Sequence, residues 1–244
     1  MKTGFLPEPG IASPDKDLSA ASVRSDIINN VLLRELMDYK RSLKALLKRK
    51  SVVKGTFTLA SGRVSNYYLD CKLTTLDPHG AVLTGRTILG LLKSNHIQAD
   101  AIGGPTVGAD PIVTAVAAMS YLEHEPLPAF FVRKERKSHG RQKQIEGIDL
   151  SQISKVVIVD EVCTTGESTI EALNAAKEAG LEILAVISLV DREEGGSEKL
   201  RKEYNYLPIF TAKELLEDDR EDARGSGTTS ENALERACRN ARNA

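Results

Sequence analysis

Four short apolar runs that alternate with helical stretches constrain the fold of this chain more than any other feature. The runs lie at Ala101–Gly103, Ala129–Val132, Val156–Val159 and Ile183–Val190. Helical patterns cover about residues 109–121 and 167–179 between them. Strands that are buried on both faces and separated by helices are typical of a parallel sheet. We therefore expect an α/β fold.

The chain before these runs has a different pattern. Residues 1–24, with Pro7, Pro9 and Pro14, are expected to form a flexible arm. Apolar residues recur at helical spacing from Asp26 to about Lys50, which predicts one long helix or two short ones. Two strand-like stretches flank the turn at Ser61-Gly62-Arg63 and predict a hairpin. The expected organisation is the arm, a hood of helix and hairpin at 25–75, an α/β core at 76–215 and a polar C-terminal tail at 216–244.

Charge and composition exclude several classes of protein. The formal net charge is -1, Trp is absent and aromatic residues are 5%, which argues against nucleic-acid binding. The three cysteines include no C-x-x-C pair, so neither a disulfide framework nor a zinc knuckle is expected. No apolar run approaches the roughly 18 residues of a membrane span, and no secretory signal opens the chain. We expect a cytoplasmic protein that binds no membrane.

The most informative segment is residues 156–168. A β-branched strand ends in the acids Asp160-Glu161, and a Thr-Thr-Gly turn then leads into a helix. Backbone N–H groups at such a helix N-terminus bind phosphate, whereas a carboxylate pair suits ribose hydroxyls. An ordinary capped turn would explain Thr164-Thr165-Gly166 alone, but not the whole segment. The segment lacks the G-K-[ST] of a Walker A loop and the G-x-G-x-x-G of a dinucleotide fold.

This segment resembles the signature for phosphoribosyl pyrophosphate (PRPP) of type I phosphoribosyltransferases. The acidic pair there is usually two Asp residues, whereas the second acid here is Glu161. The resemblance implies the type I phosphoribosyltransferase fold, in which helices flank a central, mostly parallel sheet beside a small N-terminal hood. It also implies contacts with PRPP from Asp160, Glu161, Val162, Cys163, Thr164, Thr165, Gly166, Glu167 and Ser168, with Asp160 and Glu161 among the catalytic groups.

A basic segment narrows the resemblance. Between residues 133 and 143 there are six Lys or Arg against one acid. A solvated basic loop is the plain alternative, but this run leaves an apolar strand and contains Gly140. It is similar to the catalytic loop of orotate phosphoribosyltransferases, which implies that Arg133, Lys134, Lys137 and His139 contact PRPP. Lys137 is the favoured catalytic group, and His139 is the second.

Two further segments carry the resemblance to that family. Residues 57–70 are similar to its hood hairpin, with Tyr68 and Leu69 as candidates to bracket the pyrimidine; many members carry Lys where this chain has Ala60. Residues 189–195 place Arg192 after a strand, where its planar fork matches a carboxylate. The resemblance implies that Arg192 and Thr164 bind orotate. A surface pair between Arg192 and Glu193 or Glu194 is the alternative.

The resemblance implies transfer of the 5-phosphoribosyl group from PRPP to orotate, giving orotidine 5′-monophosphate and pyrophosphate in de novo pyrimidine (UMP) biosynthesis. It implies Mg²⁺ as the cofactor, held mainly by PRPP oxygens and water and by no protein ligand. It also implies a homodimer whose active sites are shared across the interface. The alternatives are a phosphoribosyltransferase for another nucleobase and a regulator that binds PRPP without turnover.

Overall fold

The computed structural model describes residues 15–58, 64–134 and 144–217, with the side chains of residues 15–29 excepted. The chain opens with helix α1 and a two-stranded antiparallel hairpin, followed by two helices. These elements are α1 (Asp15–Lys50), β1 (Val52–Thr58), β2 (Val64–Leu69), α2 (Lys72–Thr75) and α3 (Pro78–Ser94). The hairpin is confirmed, and its turn lies outside the described residues.

Helix α1 begins at Asp15, earlier than the expected Asp26, and so includes residues assigned by sequence to the arm. The sequence accounts for this start, because Pro14 precedes the helix and no Gly or Pro interrupts residues 15–50. The C-terminal half of α1 buries Leu43 and Leu47 in the same core as Ile88 of α3. This packing joins the first helix to the main body of the fold.

Six strands form the central sheet, in the order β5-β4-β3-β6-β7-β8. Their bounds are β3 (Ala101–Pro105), β4 (Ala129–Val132), β5 (Ile145–Glu146), β6 (Lys155–Cys163), β7 (Glu182–Asp191) and β8 (Tyr206–Thr211). All neighbouring pairs are parallel except β4 and β5. The four predicted runs are β3, β4, β6 and β7, so the expected α/β fold with a mostly parallel sheet is confirmed.

The remaining helices are α4 (Asp110–Leu122), α5 (Glu167–Glu178), α6 (Gly196–Glu203) and α7 (Ala212–Leu216). Successive residues of β6 enter two separate cores, because side chains alternate across a strand. Val157 and Val159 lie in the core with residues of α1, α3 and α4. Val156 and Ile158 lie in the core with Leu173 of α5. The sheet is thus covered on both faces.

The strand order reverses between β3 and β6. The chain moves from β3 to β4 in one direction, and from β6 through β7 to β8 in the other. Ligands of open α/β sheets bind outside the carboxyl ends of the strands at such a reversal. The fold therefore directs attention to the residues that follow β3 and end β6. None of the helices in the described ranges has the length and apolarity needed to cross a membrane.

Candidate active site

The loop after β3 and the acids of β6 meet at the reversal of strand order. Gly104 lies so close to β6 that an added Cβ would sit 1.9 Å from the carbonyl oxygen of Val159. Farther along this loop, a Cβ on Gly108 would sit 2.9 Å from Oε2 of Glu161. A side chain is thus excluded at Gly104 by backbone, whereas one at Gly108 would require the Glu161 carboxylate to shift.

Asp160 is buried and accepts hydrogen bonds from its own loop and helix. Its Oδ1 accepts from the backbone N–H of Glu161 at 2.8 Å. Its Oδ2 accepts from the hydroxyls of Ser168 at 2.9 Å and Thr169 at 2.7 Å. Burial raises the pKa of this carboxyl, and the three donors oppose that rise. Asp160 therefore braces the turn between β6 and α5.

Glu161 has a different partner, Lys72 at the start of α2. The Lys72 ammonium donates to Oε2 at 2.9 Å and to Oε1 at 3.2 Å. Burial raises the pKa of Glu161, whereas Lys72 lowers it and the charges of Asp70 and Asp160 raise it. No local sequence pattern identifies Lys72, because the carboxylate that it meets lies 89 residues away.

The turn after the acids leads into α5 through a glycine. Gly166 adopts a left-handed conformation with φ of 79° and precedes α5, which is a geometry that glycine tolerates without strain. The side chain of Ser168 was expected to face phosphate, and here its hydroxyl donates to Asp160. Thr165 is exposed and Thr164 is half-buried. The Thr165 side chain is thus exposed at the N-terminus of α5, where the first N–H groups of a helix have no intrahelical partner.

Arg192 lies beside this loop, at the end of the neighbouring strand β7. Its backbone N–H donates to the carbonyl of Cys163 at 2.9 Å. Its guanidinium lies over the ring of Tyr67, 4.9 Å from the centroid, and its Nε lies 2.9 Å from Oε1 of Glu194. The side chain is only 10% exposed. The pair with Glu194 is therefore present, but it belongs to a buried arginine that is stacked on an aromatic ring.

The hairpin presents its two tyrosines on opposite faces. Tyr67 and Leu69 share the face that packs against the core, and Tyr67 reaches Arg192. Tyr68 is 47% exposed and its ring lies 5.7 Å from that of Phe57. The structure therefore brings Tyr67 to the candidate orotate site and points Tyr68 the other way. The strict alternation of a strand is the signal that could have identified Tyr67.

The basic segment is described only at its start. Arg133 lies just past β4, where its Nη1 is 3.4 Å from Oε1 of Glu146. Gln144 donates to the backbone carbonyl of Arg133, and Lys134 is exposed. The two favoured catalytic residues, Lys137 and His139, lie outside the described residues. Their roles stay predictions.

These residues combine a carboxylate pair, a helix N-terminus and a buried guanidinium at adjoining strand ends. The carboxylates suit hydroxyl groups and developing positive charge, whereas the helix N-terminus suits phosphate. The guanidinium suits a planar carboxylate. Within the described ranges, no group of three His, Cys, Asp or Glu side chains is placed to hold a metal ion.

Comparison with known proteins points in the same direction. The family model of the phosphoribosyl transferase domain matches residues 82–218. An orotate phosphoribosyltransferase of Aquifex aeolicus is 41% identical over 185 residues, which are 75% of this chain and 98% of that protein. Another from Nostoc is 45% identical over 159 residues, or 65% of this chain and 76% of the relative.

A solved structure of the same kind of enzyme as these two relatives also aligns with this chain. It is that of the orotate phosphoribosyltransferase of Mycobacterium tuberculosis in complex with PRPP. It aligns with this chain with a TM-score of 0.61 at 32% identity. The alignment covers 73% of this chain and 98% of the other. The resemblance inferred from the residues around the acidic pair therefore extends to nearly the whole length of the solved relative.

Proposed function

This chain belongs to the orotate phosphoribosyltransferases of the phosphoribosyl transferase domain family, and from that premise we propose how its residues divide the reaction. The enzyme transfers the 5-phosphoribosyl group of PRPP to orotate in pyrimidine biosynthesis. The bond from ribose C1 to the pyrophosphate oxygen breaks, a bond from C1 to N1 of orotate forms, and the N1 proton leaves to solvent. The products are orotidine 5′-monophosphate and pyrophosphate.

One observation carries the assignment of substrates to residues. The acidic pair lies just before the end of β6 at Cys163, Arg192 follows the adjacent strand β7, and the Arg192 N–H donates to the Cys163 carbonyl at 2.9 Å. A group that binds the sugar and a group that binds a planar carboxylate are therefore fixed to one another through backbone. A site with this spacing suits a phosphoribosyl donor and an acidic base as neighbours.

The acidic pair acts on the ribose. Glu161 and Asp160 accept hydrogen bonds from the ribose hydroxyls and favour the positive charge that develops at C1 as pyrophosphate departs. The backbone of residues 164–168 binds the 5′-phosphate at the N-terminus of α5. Val162, Cys163 and Glu167 complete the segment that surrounds PRPP. The buried position of Asp160 supports a fixed acceptor that needs no reorganisation during the reaction.

The base is selected on the side of Arg192. Its guanidinium pairs with the orotate carboxylate, which uracil lacks, and Thr164 contacts the same ring. The cation–π contact with Tyr67 supports this role, because it holds the guanidinium beside the hairpin. The backbone of Tyr68 and Leu69 remains the part of the hairpin proposed to bracket the pyrimidine, because the Tyr68 ring lies on the face away from Arg192.

The basic segment stabilises the leaving pyrophosphate. Arg133, Lys134, Lys137 and His139 supply positive charge there, and Lys137 or His139 protonates the departing oxygen. We place this segment in the neighbouring subunit's site in a homodimer, so that each site is completed across the interface. Two-fold dimers are the commonest closed assemblies, which supports this arrangement. We also propose a cytoplasmic location, where the reducing conditions suit the free thiols of Cys71 and Cys163.

Magnesium fits this site as an ion carried by the substrate. Asp160 is engaged by Ser168 and Thr169, and Glu161 by Lys72, so neither acid is arranged as part of a metal cage. Mg²⁺ keeps several waters and is commonly held through substrate phosphates. When bound, it neutralises charge on the pyrophosphate. The residues of the chain itself bind and orient the sugar and the base.

A turnover assay with alternative bases tests the proposed function. The purified enzyme is mixed with PRPP, Mg²⁺ and either orotate, uracil, adenine or hypoxanthine, and pyrophosphate release is measured. We expect release with orotate and none above background with the other three. Release with uracil at a similar rate would show that Arg192 does not select a carboxylate. Binding of PRPP without release of pyrophosphate for any base would indicate a regulator.

A further inference from the structure

The two acids at the end of β6 differ in how many donors they already have. Asp160 accepts three hydrogen bonds from the turn and helix that follow it. The side chain of Glu161 has Lys72 as its hydrogen-bond and ion-pair partner within the described residues. Glu161 is therefore the acid whose ionisation and direction depend on a residue from another part of the chain.

Lys72 is itself held at the junction between hood and core. It is the first residue of α2, directly after the hairpin, and its backbone N–H donates to Oδ1 of Asp70 at 3.1 Å. Its ammonium lies 3.4 Å from the same Asp70 oxygen and 2.9 Å from Glu161. The ammonium is thus fixed between two carboxylates that belong to different layers of the molecule.

Exposure of the two side chains shows what Lys72 does for Glu161. The Lys72 side chain is 44% exposed, whereas that of Glu161 is 9% exposed. A buried carboxylate without a partner becomes protonated, and a protonated carboxyl is a poor acceptor for ribose hydroxyls. The solvated ammonium therefore favours the charged form of a buried acid, and its two contacts fix the direction of both carboxylate oxygens.

We propose that Lys72 is a positioning residue of the PRPP site, which holds Glu161 ionised and aimed at the ribose hydroxyls. The proposal rests on the proposed function, because it assigns to Glu161 the ribose of PRPP. Lys72 acts through Glu161. It links the hood to the sugar-binding acid, since the residue lies at the end of the hairpin that carries Tyr67.

The first test compares three variants. Lys72→Met removes the ammonium but keeps much of the side-chain length, Lys72→Arg restores a cation, and Lys93→Met is a matched control. Lys93 is 31% exposed and bridges Glu123 and Glu125, in an ion pair outside the proposed site. Initial rates are measured with both substrates varied, from about pH 5 to 9.

We expect Lys72→Met to raise KM for PRPP about tenfold, as loss of one charge-assisted hydrogen bond does, and to lower kcat, with KM for orotate unchanged. The acid limb of kcat/KM for PRPP should move to higher pH. Among the described residues, the titratable groups that would then face Glu161 are Asp70 and Asp160, whose charges raise its pKa, and the buried thiol of Cys71. The loop after β3 brings Gly108, which has no charge. Lys72→Arg should restore most of the loss, and Lys93→Met should resemble the wild type.

The second test asks whether Lys72 acts through Glu161. In a Glu161→Gln background, adding Lys72→Met should change KM for PRPP by less than about twofold, because the partner is already absent. An equal effect in both backgrounds would overturn the proposal and place Lys72 directly on PRPP. Wild-type constants in Lys72→Met, or a loss that Lys72→Arg does not restore, would also overturn it.

A structural role gives a different result, which would also overturn the proposal. Lys72→Met would then raise both KM values and lower the melting temperature, with no shift in the acid limb. The proposed function is tested separately, by measuring whether the wild-type enzyme turns over orotate. Its failure can therefore be distinguished from failure of the proposal for Lys72. PRPP binding measured by calorimetry on the same variants tests Lys72 without any need for turnover.

Discussion

Two adjacent acids of one strand, Asp160 and Glu161, have different hydrogen-bond partners and therefore different roles. Asp160 is surrounded by hydroxyl and backbone donors of its own turn. Glu161 is paired with an ammonium contributed by α2. The sequence motif identifies both acids as a pair, but their duties depend on the groups that fold around them. Substitutions at the two positions should therefore differ in more than rate.

Amide substitutions test this difference. Glu161→Gln and Asp160→Asn should both lower kcat more than they change KM for orotate, because the contact strengthens as the ribose becomes cationic. Asp160→Asn should also lower the melting temperature, because an amide cannot accept all three of its hydrogen bonds. Kinetics and thermal unfolding of both variants provide the measurement. Unaltered turnover in both variants would show that the two acids have only a structural role in strand β6.

The pH dependence of the wild-type enzyme is a second prediction at this scale. Burial raises the pKa of both Asp160 and Glu161. A raised pKa means that each carboxyl keeps its proton to a higher pH than a free carboxyl, which titrates near pH 4. We therefore expect kcat/KM for PRPP to decline on the acid side with an apparent pKa above that ordinary range. A profile that stays flat to about pH 4 would contradict it.

Arg192 carries the third prediction. Arg192→Ala should weaken the use of orotate by about 2–5 kcal/mol in kcat/KM, because a buried carboxylate partner is lost. PRPP binding should stay nearly unchanged. Arg192→Lys keeps the charge but not the planar fork, so it should recover only part of the loss. Steady-state kinetics with orotate and calorimetry with PRPP separate these effects, and normal orotate turnover in Arg192→Ala would show that the carboxylate is bound elsewhere.

Among the elements, the hairpin of β1 and β2 shows what a strand pattern leaves open. The sequence predicts the hairpin correctly, yet the choice between Tyr67 and Tyr68 depends on which face packs on the core. The structure places Tyr67 on that face, against Arg192. One residue along a strand reverses the side-chain direction. The pair Tyr67-Tyr68 therefore predicts a strand, but it does not by itself predict which of the two rings contacts Arg192.

Tyr67 provides a prediction at the scale of this element. Tyr67→Leu should raise KM for orotate by about threefold to tenfold, since a stacked cation and ring contribute about 0.5–2 kcal/mol. Tyr67→Phe keeps the ring and should behave like the wild type. The comparison is made by kinetics with orotate varied at saturating PRPP. Equal constants for Tyr67→Leu and Tyr67→Phe would show that stacking does not position Arg192.

The strands of the sheet were predictable to different degrees. β3, β4, β6 and β7 follow from their apolar runs, because a strand covered on both faces must be apolar throughout. β8 is interrupted by Pro208, which is tolerated because β8 pairs with β7 alone at the edge of the sheet. β5 is only two residues long. The contact between Lys72 and Glu161 was beyond local patterns, because it forms only when the hood meets the sheet.

At the scale of the whole molecule, the site collects groups from distant parts of the chain. Lys72 comes from the junction after the hairpin, Glu161 from β6 and Arg192 from the end of β7. The basic segment leaves β4 on the other side of the strand reversal. The homodimer proposed above would add the basic segment of a second subunit to this set.

Mixing two inactive variants tests the shared site. Lys137→Ala and Arg192→Ala should each be nearly inactive, and a mixed dimer should hold one site with both defects and one with neither. Random reassortment makes about half of the dimers mixed, so about a quarter of wild-type activity should return. The variants are dissociated, mixed and reassociated, and orotate consumption is measured. If subunit exchange is verified and no activity returns, the basic segment serves its own chain.

The adjoining strands β6 and β7 also give this fold a modular character. The sugar phosphate is assigned to the end of β6, whereas the base is assigned to the end of β7 and the hairpin, and the two are joined through the Arg192 N–H and the Cys163 carbonyl. A redesign that replaces Arg192 and Tyr67 therefore retains the donor half of the site. Variants redesigned in this way offer a route to enzymes that attach the same sugar to other heterocycles.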